Sequence, residues 1–189
     1  MKSFLAAAAV IALSGAAQAQ DIQPAMKSYV EAEVMPWAHD RTIIDALRAQ
    51  NLRTASLSQS DIDALDQTWR AEVGTALTPT ISPVLENPAS AFLRSRLEAA
   101  GGKITEVFVM DARGLNVAAS QPTSDYWQGD EEKFTDTFPV GPDAMHFGEI
   151  EFDESSQRYQ AQVSIALVDP ETRAVIGAMT IGLDADALF

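Results

Sequence analysis

The sequence predicts an α+β fold in which helices come first and an antiparallel sheet follows. Apolar residues recur at helical spacing up to about residue 100. From Ile104 onward the pattern becomes short runs rich in β-branched and aromatic residues, several of them alternating with polar ones. Tight-turn signals, Asp111-Ala-Arg-Gly114 and Asp169-Pro-Glu-Thr172, separate these runs and make neighbouring strands hairpins.

Asp21 to about Arg53 carries one apolar stripe, through Met26, Tyr29 or Val30, Trp37, Ile44 and Leu47. Asp21 suits an N-cap, with Pro24 in the first turn. Pro36 removes a backbone donor, so a kink or break is expected near Glu33. A second helix, Asp61 to Val73, is capped by Ser58 or Ser60, with Ile62, Leu65, Trp69 and Val73 on one side. Asn87-Pro88 opens a third that ends at Gly101-Gly102.

Ile104 to Met110 and Leu115 to Ser120 form the first hairpin. Asp130 to Phe138 is a short helix. His146 to Asp153 alternates, and Glu154-Ser155-Ser156 turns the chain. Arg158 to Val168 is the clearest strand. Tyr159, Ala161, Val163, Ile165 and Leu167 face one side, and Gln160, Gln162 and Ser164 the other. Ala174 to Leu183 is apolar on both faces and therefore central. The count is about five antiparallel strands.

The N-terminus reads as a secretory signal peptide. Met1-Lys2 is positive, Phe4 to Leu13 is a short apolar run, and Ala17-Gln18-Ala19 is a small-x-small cleavage site. Cleavage would leave Gln20 to Phe189 as a single domain in the periplasm. No later stretch is long and apolar enough to span a bilayer. The chain has no Cys, so no disulfide contributes. Its net charge of −14 argues against nucleic acid and anionic membrane surfaces as partners. Two His and no Cys offer few transition-metal ligands, and no cofactor is expected. Catalysis has little support: no Gly-x-Ser-x-Gly elbow exists, and His39 and His146 read as structural or surface residues.

The loop after the first hairpin holds the candidate ligand contacts. Tyr126 and Trp127 either enclose a ligand or plug the space beneath the loop. Asp125, Asp130 and Glu131 either bind a cationic ligand or weakly hold a cation such as Ca²⁺, or else Asp130 and Glu131 favour the dipole of the next helix. Gln160, Gln162 and Ser164 face a wet pocket or solvent, and Ser120 can point into the same space. Glu149 and Glu151 share one strand face and read as a solvated edge. A Gln- and Ser-lined pocket with an acidic mouth suits a small polar metabolite, neutral or cationic.

Taken together, the long N-terminal helix, Val107-Phe-Val-Met-Asp-Ala-Arg-Gly-Leu-Asn-Val117, Ser120, Asp125-Tyr-Trp-Gln-Gly-Asp-Glu131, Asp153-Glu-Ser-Ser156 and the final strand pair resemble an extracytoplasmic Cache domain, the PAS-like sensor fold also called PDC. The resemblance implies a single Cache domain over 20–189, with a five-stranded sheet. It also implies a small-molecule pocket between that sheet and the cover that follows the second strand. Two departures stand out. The chain ends at Phe189 without a membrane helix or output domain, and Tyr126 and Gln128 flank Trp127 where the amino-acid-binding subgroup has Arg. The expectation is a periplasmic sensor module that reports to a membrane receptor or kinase. The alternative is a structural or interaction protein that no longer binds a small ligand.

Overall fold

A computed structural model describes residues 14–153 and 158–188. Helix α1 (Ser14–Tyr29) continues through a π-helical turn (Val30–Val34) into α2 (Met35–Ala38), and α3 (Arg41–Thr54) follows. Then come α4 (Gln59–Glu72), α5 (Ser82–Leu85) and α6 (Pro88–Ala99). The sheet comprises β1 (Ile104–Asp111), β2 (Asn116–Ala119), β3 (Met145–Asp153), β4 (Arg158–Val168) and β5 (Val175–Asp184), with α7 (Glu132–Thr135) between β2 and β3. Its order is β2-β1-β5-β4-β3, and every neighbouring pair is antiparallel. β5 is central, as its two apolar faces predict.

The expected kink has a specific form. The Met35 N–H reaches back to Val30 O, widening the turn before Pro36. A proline ring collides with the carbonyl four residues earlier, and a π turn relieves that clash. The stripe stays in register across the bulge: Ile22, Met26, Val30, Val34 and Ala38 are all buried. The helix then breaks at His39, and Asp40 caps α3 by accepting from Thr42 N (2.8 Å). Two expectations change. Asp21 and Pro24 lie inside α1 rather than at its start. Trp37 is only partly buried, because Val34 and Ala38 take the core-facing positions. The leader falls mainly on residues 1–13, and the Glu154–Ser156 turn within 154–157, both outside the described residues.

The second and third helices keep their predicted caps. Ser58 and Asp61 form a reciprocal capping box on α4, and Asn87 accepts from Ser90 N (2.9 Å) on α6. Val73 was expected on the packed side of α4, yet it is exposed just past the helix end.

The sheet has two unlike faces. Val107, Val109, Ala161, Val163, Ile165, Leu167, Met179, Ile181 and Leu183 form one core with α1, α3 and α6. Gly177 permits this approach: a Cβ there would collide with Met110 O and lie 2.7 Å from Leu47 Cδ2. The opposite face is apolar only near β1, where Phe108, Met110, Ala119 and Ala178 pack under Phe134. Toward β4 and β3 it turns polar.

One ion pair locks α3 to the β4–β5 turn. Arg48 donates Nε to Asp169 Oδ2 and Nη2 to Asp169 Oδ1, each at 2.7 Å, and lies 3.2 Å from Glu171. The Arg48 hydrogen bond holds the Asp169 carboxyl well below its ordinary value of 3.8, with help from the Thr172 and Glu171 amides. A depressed carboxyl stabilises the fold above its unfolded pKa, and the contribution fades as pH falls toward the folded value. Asp169→Asn should therefore lower the urea midpoint at neutral pH. The gap to the wild type should close as pH drops below about 4. A gap that stays constant with pH would contradict this.

Candidate functional site

The buried Asp111 carboxylate organises the first hairpin and, through it, the following loop. Oδ1 accepts from Arg113 N (2.8 Å) and Leu115 N (3.0 Å), and Oδ2 from Thr54 Oγ1 (2.8 Å) and Gln50 Nε2 (3.2 Å). Gly114 completes the turn at φ +78. A Cβ on Gly114 would lie 2.5 Å from Gly129 Cα, so the loop can return this close only over glycine. The Gln128 amide accordingly donates to Gly114 O (2.8 Å), and Leu115 bridges to Trp127.

Helix α4 fixes which way the loop's aromatics point. Asp66 Oδ1 accepts from Tyr126 N (2.9 Å) and Trp127 N (3.1 Å), while Arg70 joins Asp66 to Asp125. Trp69 donates to Thr123 O (2.9 Å) and stacks on Tyr126 at 5.2 Å between ring centroids. Trp127 donates Nε1 to Arg113 O (2.8 Å).

Beyond this loop, a cleft of about 500 Å³ opens between the polar sheet face and the segment leading into α7. Ligand pockets commonly fall in this size range. Gln160 and Gln162 form the floor, Asp130 to Lys133 one rim, and His146, Gly148, Glu149 and Glu151 the β3 wall. Gln162 donates to Glu106 Oε1 (2.9 Å) across Gly182 of the central strand, and Thr105 donates to Gln160 Oε1 (2.9 Å). A Cβ on Gly182 would lie 2.7 Å from Glu106 Cγ, so glycine there leaves room for the crossing.

Five carboxylates line the cleft: Asp130, Glu131, Glu132, Glu149 and Glu151. Lys133, the one lysine, is 2.9 Å from Glu131, and its Nζ sits 5.6 Å over the Phe108 ring. His146 is flanked by Asp136 (3.5 Å) and Glu132 (4.0 Å). Among the described residues, Glu149 and Glu151 have no cation within ion-pair distance, and no cluster of side chains is arranged to hold a metal ion. Amide and carboxylate acceptors thus surround a space of net negative charge.

The structure separates the candidate residues into groups. Asp130, Gln160 and Gln162 meet at this cleft. Ser164 is buried and pairs with Thr180 (2.9 Å). Ser120 Oγ accepts from Val107 N (3.0 Å) at the β1–β2 edge. Asp125 bonds Arg70 and Gln128. Tyr126 faces the helices, and Trp127 packs on the first hairpin, so neither roofs the β4 floor. Glu149, Glu151, His146 and Lys133 also line the cleft, although nothing in the sequence marks them as site residues. Strand alternation did place the first two on one face, but the covering segment that makes that face a cleft is not visible in a local pattern.

No known protein-family profile matches the chain, and no curated protein matches it in sequence. Solved structures do. The sensor domain of the V. cholerae histidine kinase DctB aligns at a TM-score of 0.50 and 13% identity, covering 92% of this chain and 55% of that one. Two chemoreceptor domains align more loosely. The Pseudomonas aeruginosa PAO1 receptor PctC, with GABA, gives 0.42 at 13% identity, covering 92% and 59%. The Campylobacter jejuni receptor Tlp3, with 4-methylisoleucine, gives 0.42 at 10%, covering 89% and 64%. The chain thus has the fold of a Cache (PDC) sensor domain, and it spans 55% of the length of the DctB structure. These matches are sensor and ligand-binding domains rather than enzymes. No helix among the described residues is long and apolar enough to cross a membrane.

Trp127→Ala separates the two roles open to this ring. As a hairpin packing element, its loss should cost about 3 kcal/mol, the low end for a large aromatic because the ring is only partly buried. Isothermal titration of the folded variant with a probe of the sheet-face cleft such as agmatine should then match the wild type. Loss of binding with unchanged stability would instead make Trp127 a ligand contact.

Proposed function

We propose that this protein is an extracytoplasmic sensor module whose acidic sheet-face cleft binds a small polar cation, a metabolite bearing a primary or substituted amine. The observation that carries the reading is the charge of that cleft. Five carboxylates surround a floor of Gln160 and Gln162, and the single lysine is already neutralised by Glu131. An anion would be repelled both locally and by the net charge of −14, whereas a cation is drawn in. The cleft lies between the sheet and the cover after β2, where the resemblance to Cache domains implies the ligand pocket.

The wider setting belongs to the same proposal. The protein is exported by cleavage after Ala19, acts in the periplasm as a single domain over 20–189, and passes its ligand state to a partner such as a membrane receptor or kinase. The signal-peptide pattern and the sensor fold support this. A second reading, an interaction protein with the same fold, draws on one observation. Tyr126 and Trp127 are both held by structural contacts, as a plug would be.

Thermal unfolding with a panel of amines, from putrescine and agmatine to choline, decides between them. A ligand at a hundred times its Kd adds about 2.7 kcal/mol. For a chain of this size, that corresponds to a midpoint rise of roughly 5–10 °C. At least one amine should produce such a rise, and the double variant Glu149→Gln/Glu151→Gln should reduce its affinity tenfold or more. If no amine stabilises the protein, or the double variant binds as well as the wild type, the sensor reading of this cleft fails.

A further inference from the structure

A second cleft lies on the opposite side of the molecule, among the helices. It encloses about 830 Å³ between α3 and the segment running from α4 to α6, with Val117 and Tyr126 among its lining. Ala46 and Ala49 hollow the α3 wall, and Pro79, Pro83 and Pro88 face them. Proline and alanine have little side-chain freedom to lose, so an apolar body can dock here without freezing rotamers.

Three polar groups reach this apolar space uncommitted. Gln50 is buried, and its Nε2 is spent on Asp111, Leu115 O and Asn116 O. Its Oε1 accepts no hydrogen bond from the described residues, and Gln50 is among the residues that line the cleft. The Tyr126 hydroxyl likewise has no hydrogen-bond partner among the described residues. Burial, and after it the charge of Asp111, pushes its pKa up to about 12, so it remains an O–H donor at physiological pH. Arg53, one turn beyond Gln50 on α3, makes no ion pair among the described residues and lies close enough to act on Tyr126.

The sign of the charge is the reverse of that in the sheet-face cleft. Here the charged residues of the lining are Arg41, Arg53 and Asp45, with Arg41 3.2 Å from Asp45, while the Asp111 carboxylate lies behind Gln50 with its lone pairs filled by four donors. Arg53, an exposed residue in the lining of the cleft, is thus left as a cation without an ion pair among the described residues of a strongly acidic protein. A guanidinium and a phenol O–H beside a hydrophobic wall match a carboxylate on an apolar body. The open Gln50 acceptor asks that body for one N–H or O–H.

We propose that the helix-face cleft is a second ligand site. It takes an aromatic monocarboxylate carrying a ring N–H or O–H, with Arg53 and the Tyr126 hydroxyl on the carboxylate and Gln50 Oε1 accepting from the ring. This site is independent of the amine cleft, so either can fail without the other.

Isothermal titration of the wild-type protein with indole-3-acetate and 4-hydroxyphenylacetate, and with their uncharged methyl esters, provides the test. At least one acid should bind, and its ester at least tenfold more weakly. Arg53→Gln should weaken the acid tenfold or more. Tyr126→Phe, which keeps the ring stack on Trp69, should weaken it several-fold. Both variants should unfold at the wild-type temperature and respond to amines as the wild type does. Amide chemical-shift changes should centre on Ala46, Ala49 and Val117. The proposal is overturned if neither acid binds at millimolar concentration. It is equally overturned if the esters or the Arg53→Gln variant bind as well, or if the shift changes map to the sheet-face cleft.

Discussion

The Asp111 carboxylate is the constraint on which the rest of the structure depends. It is fully buried, and every partner it has in the hydrogen-bond network is a neutral donor. A buried charge without a cation is costly unless its lone pairs are filled. Here two backbone amides fold the β1–β2 turn around it, while Thr54 and Gln50 bring α3 to the same point. Bonds to a charged group contribute about 1.5–3 kcal/mol each, against a desolvation cost of several kcal/mol. These bonds offset the cost of burying the carboxylate, and the main consequence is geometric. Turn, helix and sheet share a single register, and the return loop closes on Gly114.

That register divides the loop's labour. Asp66 and Arg70 draw residues 125–127 toward α4, so Tyr126 lines a cleft among the helices. A few residues later, Asp130 to Lys133 rim the cleft on the sheet. A single segment thus separates two spaces, one rimmed by carboxylates and the other lined by two arginines and one aspartate. The sheet-face space follows from β4 and β5: Gln160, Gln162 and Gly182 lie where this face turns from apolar to polar, and the segment leading into α7 forms one rim over them.

Much of this was legible in the sequence. The strand alternation of β4 and the two-faced apolarity of β5 gave the sheet its centre. Pro36 gave the helix its bulge, and Asn87-Pro88 and Ser58 gave two helices their starts. The polar floor was legible as well, since Gln160 and Gln162 stand out on a strand that should be covered. Ser164 shares their parity but not their fate. Its neighbour Thr180 lies on another strand, and a cross-strand hydrogen bond cannot be read from one strand's periodicity. For Tyr126 and Trp127 the sequence leaves open whether they enclose a ligand or plug the space beneath the loop, and a carboxylate on α4, sixty residues earlier, turns them away from β4. Local patterns predict faces and periods. They carry no record of which distant side chain captures a loop, and that capture decides which groups line which cavity.

The most direct test of the central claim, that the acidic space between α7 and the sheet holds the ligand, is a crystal structure of the protein grown with a stabilising amine. Ligand density is expected above Gln160 and Gln162, with its ammonium within hydrogen-bonding distance of Glu149 or Glu151. Density for the amine elsewhere, with this cleft holding only solvent, would contradict it.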